Sequence, residues 1–167
     1  TFCTLVDPGV PIPPDASAVN GITDDMVRGM PRIGDVMDGF AGFCDGLPLV
    51  AHNAPFDFKF LRADVELHRA AAPRGRILDT LVLARKVFPG LPNYKLWTLA
   101  RHFNFPSGVF HRAEEDSSYC GLLFAKIVET LRLRRLPCAE TDLAEMIGKE
   151  ELRFPQFAAE PDQLDLF

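Results

Sequence analysis

A short apolar run, Leu47 to Ala51, gives way within two residues to a helix start, with Asn53 fitting an N-cap and Pro55 the first helical turn. The run has no polar alternation, the pattern of a strand buried on both faces. A buried strand that passes straight into a helix belongs to a sheet with helices packed on it. The same rhythm recurs along the chain. Phe2 to Val6 reads as a strand, ended by Asp7-Pro8-Gly9 and followed by an extended connection through Pro11, Pro13 and Pro14. Thr23 is placed to cap a short helix whose first turn holds Asp24 and Asp25, and Ile33, Val36, Met37, Phe40 and Cys44 follow at helical spacing. Arg76 to Leu78 reads as another strand, Thr80 to Val87 as a helix, and Tyr94 to Phe103 as a further helix before the turn Pro106-Ser107-Gly108.

A long helix then opens with Glu114, Glu115 and Asp116 and closes with Arg132, Arg134 and Arg135, the charge order that complements its dipole. Its apolar face is Tyr119, Leu122, Leu123, Ile127 and Leu131. Cys138 to Glu151 reads as a terminal helix with no assigned role. From Phe154 onward, Pro155, Ala158, Ala159, Pro161 and Asp162 lack amphipathic periodicity and read as a flexible tail. The expected class is α/β, one domain.

Composition narrows the function. A chain of 167 residues with 47% apolar content can bury one sizeable core. No run approaches the roughly 18 apolar residues of a membrane span, and no secretory signal opens the chain, so a cytoplasmic protein without a membrane partner is expected. Cys3, Cys44, Cys120 and Cys138 form no CxxC pair, which argues against a zinc site or a disulfide framework and for reduced core residues. A net charge of −5 argues against binding to nucleic acid through a broad basic face.

Two segments carry candidate chemistry. In Val50-Ala51-His52-Asn53-Ala54-Pro55-Phe56-Asp57, the carboxylate falls in the first helical turn after a buried strand, where α/β sheets build their sites. Asp57 is equally explained as compensation of the helix N-terminus. In His111-Arg112-Ala113-Glu114-Glu115-Asp116, a loop histidine suited to taking a proton from water precedes acids suited to a hard cation. Here too His111 has a plain reading as a surface residue at a helix entry, and Asp116 as a dipole partner.

Together these segments resemble the second and third motifs of the DEDDh exonuclease superfamily, which includes the proofreading subunit of the bacterial replicative polymerase. Smaller features fall in family order: Leu5-Val6-Asp7-Pro8-Gly9, Gly21-Ile22-Thr23, Leu78-Asp79-Thr80 and the helix from Leu96 to Phe103. The resemblance runs from Phe2 to about Arg135. It implies a ribonuclease H-like mixed sheet flanked by helices, and 3'→5' hydrolysis of DNA by two metal ions, Mg²⁺ or Mn²⁺, about 4 Å apart. It implies Asp57 and Asp116 as metal ligands and His111 as general base. Asn53 and Phe56 match positions near the terminal nucleotide, with Ile22 and Thr23 as walls of a base pocket.

The family's first motif, an Asp-x-Glu on the opening central strand, has no counterpart on a strand here. Asp64-Val65-Glu66 lies mid-helix and does not replace it. The resemblance therefore implies an exonuclease domain over residues 1–135 that lacks its first strands, a terminal helix at 136–153 and a tail at 154–167. Negligible nuclease activity is expected of these 167 residues alone.

The tail ends in Gln163-Leu164-Asp165-Leu166-Phe167, which resembles the bacterial peptide that docks on the replication sliding clamp. Two apolar anchors, a polar residue for register and a flexible leash meet the physical needs of such docking. The expected partners are thus single-stranded DNA 3' ends, the sliding clamp and the replicative polymerase. The competing readings are a ribonuclease of the same superfamily and a catalytically inactive clamp adaptor.

Overall fold

The computed structural model describes residues 1–106, 113–148 and 152–157. Among the described residues, eight helices and two strands follow in the order α1 (Pro14–Asn20), α2 (Asp24–Val27), α3 (Ile33–Cys44), β1 (Leu49–Ala51), α4 (Ala54–His68), β2 (Ile77–Asp79), α5 (Thr80–Val87), α6 (Leu96–His102), α7 (Ala113–Leu133) and α8 (Glu140–Ile147). β1 and β2 pair in parallel, with Leu49 beside Ile77, Val50 beside Leu78 and Ala51 beside Asp79. Helix α4 is the crossover that parallel pairing requires. The strands begin close together: a Cβ on Gly75 would collide with the Leu47 carbonyl, so only glycine fits there.

Strand residues alternate between two apolar layers. Val50 and Leu78 face a core built from Leu83, Ala84, Val87, Leu99, Leu123, Ile127, Leu131 and Leu143, contributed by α5, α6, α7 and α8. Leu49 and Ile77 face a second cluster, where Met37 and Val65 from α3 and α4 pack with Ala70, Ala72 and Phe154. The small parallel sheet is thus covered by helices on both faces, as expected of an α/β chain.

Several expectations are corrected. Phe2 to Val6 is not a strand, because among the described residues no strand lies beside it to take its backbone hydrogen bonds. Phe2 instead packs on α3, its ring 5.7 Å from those of Phe40 and Phe43. The proline-rich connection ends in a helix: Pro14 occupies the first turn of α1, where a missing N–H costs nothing. Thr23 precedes α2 but makes no side-chain cap bond. β1 is shorter than the apolar run and only half-buried, with Leu47 66% exposed, because β2 covers one edge alone. The helix expected over Tyr94 to Phe103 is the shorter α6. On α7, Leu122 is exposed and Cys120 takes a buried place instead; Cys3 is exposed, unlike the core cysteines Cys44 and Cys120.

The largest correction concerns the tail. Phe154 is buried against Phe58, with ring centroids 5.1 Å apart, and Phe157 packs on the same cluster beneath the Arg69 guanidinium. Residues 154–157 are therefore docked on the domain, since two aromatic rings outweigh the absence of periodicity. Truncating Phe154 to alanine should cost about 3 kcal/mol. Urea denaturation would report it as a lower midpoint, and an unchanged midpoint would show that this segment is not held.

Candidate active site

The site begins where β1 becomes α4. Asn53 takes up a left-handed conformation, φ 68° and ψ 47°, which asparagine tolerates better than most residues and which turns the chain sharply into the helix. Its side chain makes no cap bond, contrary to its expected role. The junction is instead held by Asp79, which the sequence reading placed in the segment Leu78-Asp79-Thr80 without giving it a role. Its carboxylate, 5% exposed, accepts from the Asn53 backbone N–H at 3.1 Å and from the Leu81 N–H at 2.9 Å. One side chain thus ties the end of β2 to the starts of α4 and α5.

A second set of bonds lies alongside. The His52 Nε2 reaches the Tyr94 carbonyl at 2.8 Å, an acceptor, so that nitrogen carries the hydrogen. Nδ1 then accepts from the Thr80 hydroxyl at 2.9 Å, while the Ala51 carbonyl lies 3.1 Å from the same hydroxyl. Burial is the main cause that holds the His52 pKa below its ordinary value, against the opposing pull of the Tyr94 bond and Asp79. Burial likewise pushes the Cys120 thiol up to about 11, so it stays protonated beside Thr80.

These anchors frame a cavity of about 1020 Å³. Its wall takes Asp57 from α4 and Glu114, Glu115 and Asp116 from α7. The remaining lining includes Cys3, Thr4 and Leu5, then Asn20, Gly21, Ile22 and Met26 around the α1–α2 turn, Leu96 and Trp97 of α6, and Cys120. Of the residues singled out from sequence, Asp57, Asp116 and Ile22 meet in this cavity. Thr23, Asn53 and Phe56 are exposed and do not line it; Phe56 packs edge-on to Phe60, with centroids 5.3 Å apart. His111 and the peptide Gln163, Leu164, Asp165, Leu166 and Phe167 lie outside the described residues.

Asp57 retains exposed surface, yet enough protein surrounds its carboxyl for desolvation to raise its pKa, helped by the negative charge of Asp79 and opposed by a local backbone bond. The donor set around the cavity is oxygen-rich, which suits a hard divalent cation. Among the described residues, however, no three potential ligands are gathered into a metal-binding cluster. Asp57 and Asp116 fit as part of a metal site rather than as all of one.

Sequence comparison decides the family. The family model described as Exonuclease matches residues 1–124. The chain belongs to the exonuclease family. It is 41% identical over 129 residues to the DNA polymerase III subunit epsilon of Treponema pallidum (strain Nichols), covering 76% of this chain and 60% of that protein. It is 39% identical to the corresponding subunit of Aquifex aeolicus (strain VF5), over 78% of this chain and 64% of the relative. The chain therefore spans less than two thirds of the length of either subunit. Among solved structures it resembles Exonuclease X in complex with 5' overhanging duplex DNA, at 30% identity, a TM-score of 0.66, and coverage of 86% of this chain and 79% of the other. Among the described residues no helix is long and apolar enough to cross a membrane.

Two outcomes test the site. Thr80→Val removes the donor that His52 Nδ1 needs and should cost about 1–3 kcal/mol of stability. Because His52 is held neutral in the fold while an unfolded histidine takes up a proton near pH 6.5, acidification below that pH should erode stability. The loss should be shallower in His52→Gln, as read by melting from pH 7 to pH 5. For Asp57 the sign is opposite: its raised pKa makes ionisation costly in the fold, so that cost grows as pH rises through the folded value. Metal-free Asp57→Asn should be more stable than the parent at neutral pH, by under about 1 kcal/mol because solvent screens the exposed carboxyl. The difference should vanish below about pH 4.

Proposed function

We propose that this chain carries most of the catalytic unit of a 3'→5' exodeoxyribonuclease serving replication proofreading or repair. The observation that carries the reading is the meeting of Asp57 and Asp116, from two separate helices, in one cavity at the end of the parallel strands. The family membership and the names of the relatives agree with it.

In this reading residues 1–135 form the nuclease unit, and Asp57 and Asp116 are two of the carboxylates that hold divalent ions, Mg²⁺ or Mn²⁺. A bound ion supplies positive charge against the scissile phosphate and lowers the pKa of water. Two carboxylates supply part of the six oxygens such an ion takes, and waters, the substrate phosphate and the acids of an Asp-x-Glu strand would complete the set. The cation's charge also opposes the desolvation that keeps the Asp57 pKa high, so binding favours the ionised form. His111 takes the proton from the attacking water. Its neutral form is the active one, and the rate should fall as pH drops through its pKa. Ile22 bounds the space for the terminal base, with Thr23, Asn53 and Phe56 at its margin.

The peptide Gln163-Leu164-Asp165-Leu166-Phe167 docks on the sliding clamp. With Phe154 and Phe157 held on the domain, residues 158–162 separate the peptide from that anchor along the chain. Tethering raises the local concentration of DNA ends, which offsets the weak attraction expected of a chain with net charge −5.

The test uses a 5'-labelled single-stranded DNA with Mg²⁺. The 167 residues alone should be nearly inactive. The same residues preceded by a strand bearing an Asp-x-Glu pair should shorten the DNA stepwise from its 3' end, and His111→Ala should reduce that rate about 10²–10⁴-fold. No shortening by the extended protein would leave a clamp adaptor as the better account.

A further inference from the structure

The walls of the cavity differ in chemistry. Carboxylates from α4 and α7 repel phosphate in the absence of cations, whereas Leu5, Ile22, Met26 and Trp97 offer apolar surface. Trp97 is the only tryptophan of the chain, and it keeps 40% of its surface exposed although it belongs to a helix whose neighbours Leu99 and Ala100 are fully packed. The Arg101 guanidinium lies over its ring, 6.0 Å from the centroid, so the indole carries a cationic partner on the same helix. The exposed part of the indole lines the cavity and is open to contact with what enters it.

We propose that Trp97 is a substrate-binding platform on which a base of the bound single strand stacks, with Arg101 steadying the ring. This rests on the nuclease reading above and deepens it by naming a recognition element. An aromatic platform suits this protein for a physical reason. Stacking draws on the π-face that every base has, is sequence-tolerant, and does not rely on phosphate attraction, which a net charge of −5 and the acids lining the cavity oppose. Binding by this route depends on the bases and not on the phosphates alone.

As the sole tryptophan, Trp97 reports on its own contact. The chain with Asp57→Asn, which prevents cleavage during titration, is mixed with a ten-residue thymidine oligonucleotide in Mg²⁺. Binding is followed in parallel by tryptophan fluorescence and by anisotropy of a label on the DNA. Quenching is expected with this oligonucleotide and little or none with an abasic strand of equal length and charge. Trp97→Ala should weaken binding about ten-fold, the size of one base–aromatic stack, and Trp97→Phe should restore most of it. In the active protein the loss should appear in KM, with kcat nearly unchanged. Tight binding by anisotropy without quenching, or equal affinity for the abasic strand, overturns the platform while leaving the nuclease reading intact. Absence of binding by anisotropy overturns the platform, and the shortening assay on the extended protein decides the nuclease reading separately.

Discussion

One buried carboxylate holds the functional end of this molecule together. Asp79 ends β2, accepts from the backbone at Asn53 and Leu81, and so joins the starts of α4 and α5 to the strand that separates them. Burying a charge is costly, but here it is met by two N–H donors at helix N-termini, whose dipoles favour a negative group. The adjacent bonds from Thr80 to His52 and from His52 to the Tyr94 carbonyl extend the same tie toward α6. Asp57 stands one turn into α4, so its position is inherited from this junction. A helix that could rotate or slide at its start would not deliver a carboxylate to the same place.

The cavity that results is chemically divided, and the division follows from the layers of the fold. α4 and α7 approach β1 from its two faces, so their first turns converge beyond its end and bring acids together. The α1–α2 turn and α6 close the remaining sides with apolar groups. Burial, with a smaller contribution from the Asp79 charge, raises the Asp57 pKa in the cation-free protein, and a positive charge at the site would offset that cost.

Much of this was legible along the chain. Helices α3, α5 and α7 followed their apolar spacing, because each buries one stripe against a core and spacing alone encodes a stripe. The strand-to-helix switch at Asn53 and the acids at Asp57 and Asp116 were equally visible, since motif residues recur at set distances from such switches. Less visible were α1, which proline seemed to forbid although its first turn tolerates it, and the docking of Phe154, which depends on a single ring finding Phe58. Phe2 to Val6 had strand-like composition but no strand beside it, and composition does not say whether a ladder partner exists.

The sequence by itself determined the alternation of helix and strand, the family, and which acids and which histidine are candidates for chemistry, because these depend on residue type and local spacing. Only the tertiary structure decided that Asp57, Asp116 and Ile22 share a cavity with Trp97, that Asn53 serves through its backbone, and that Asp79 and Thr80 anchor the junction. The physical reason is that hydrogen bonding and burial act between groups distant along the chain. Asp79 meets Asn53, and Thr80 meets His52, only after α4 has carried the chain across and laid β2 beside β1.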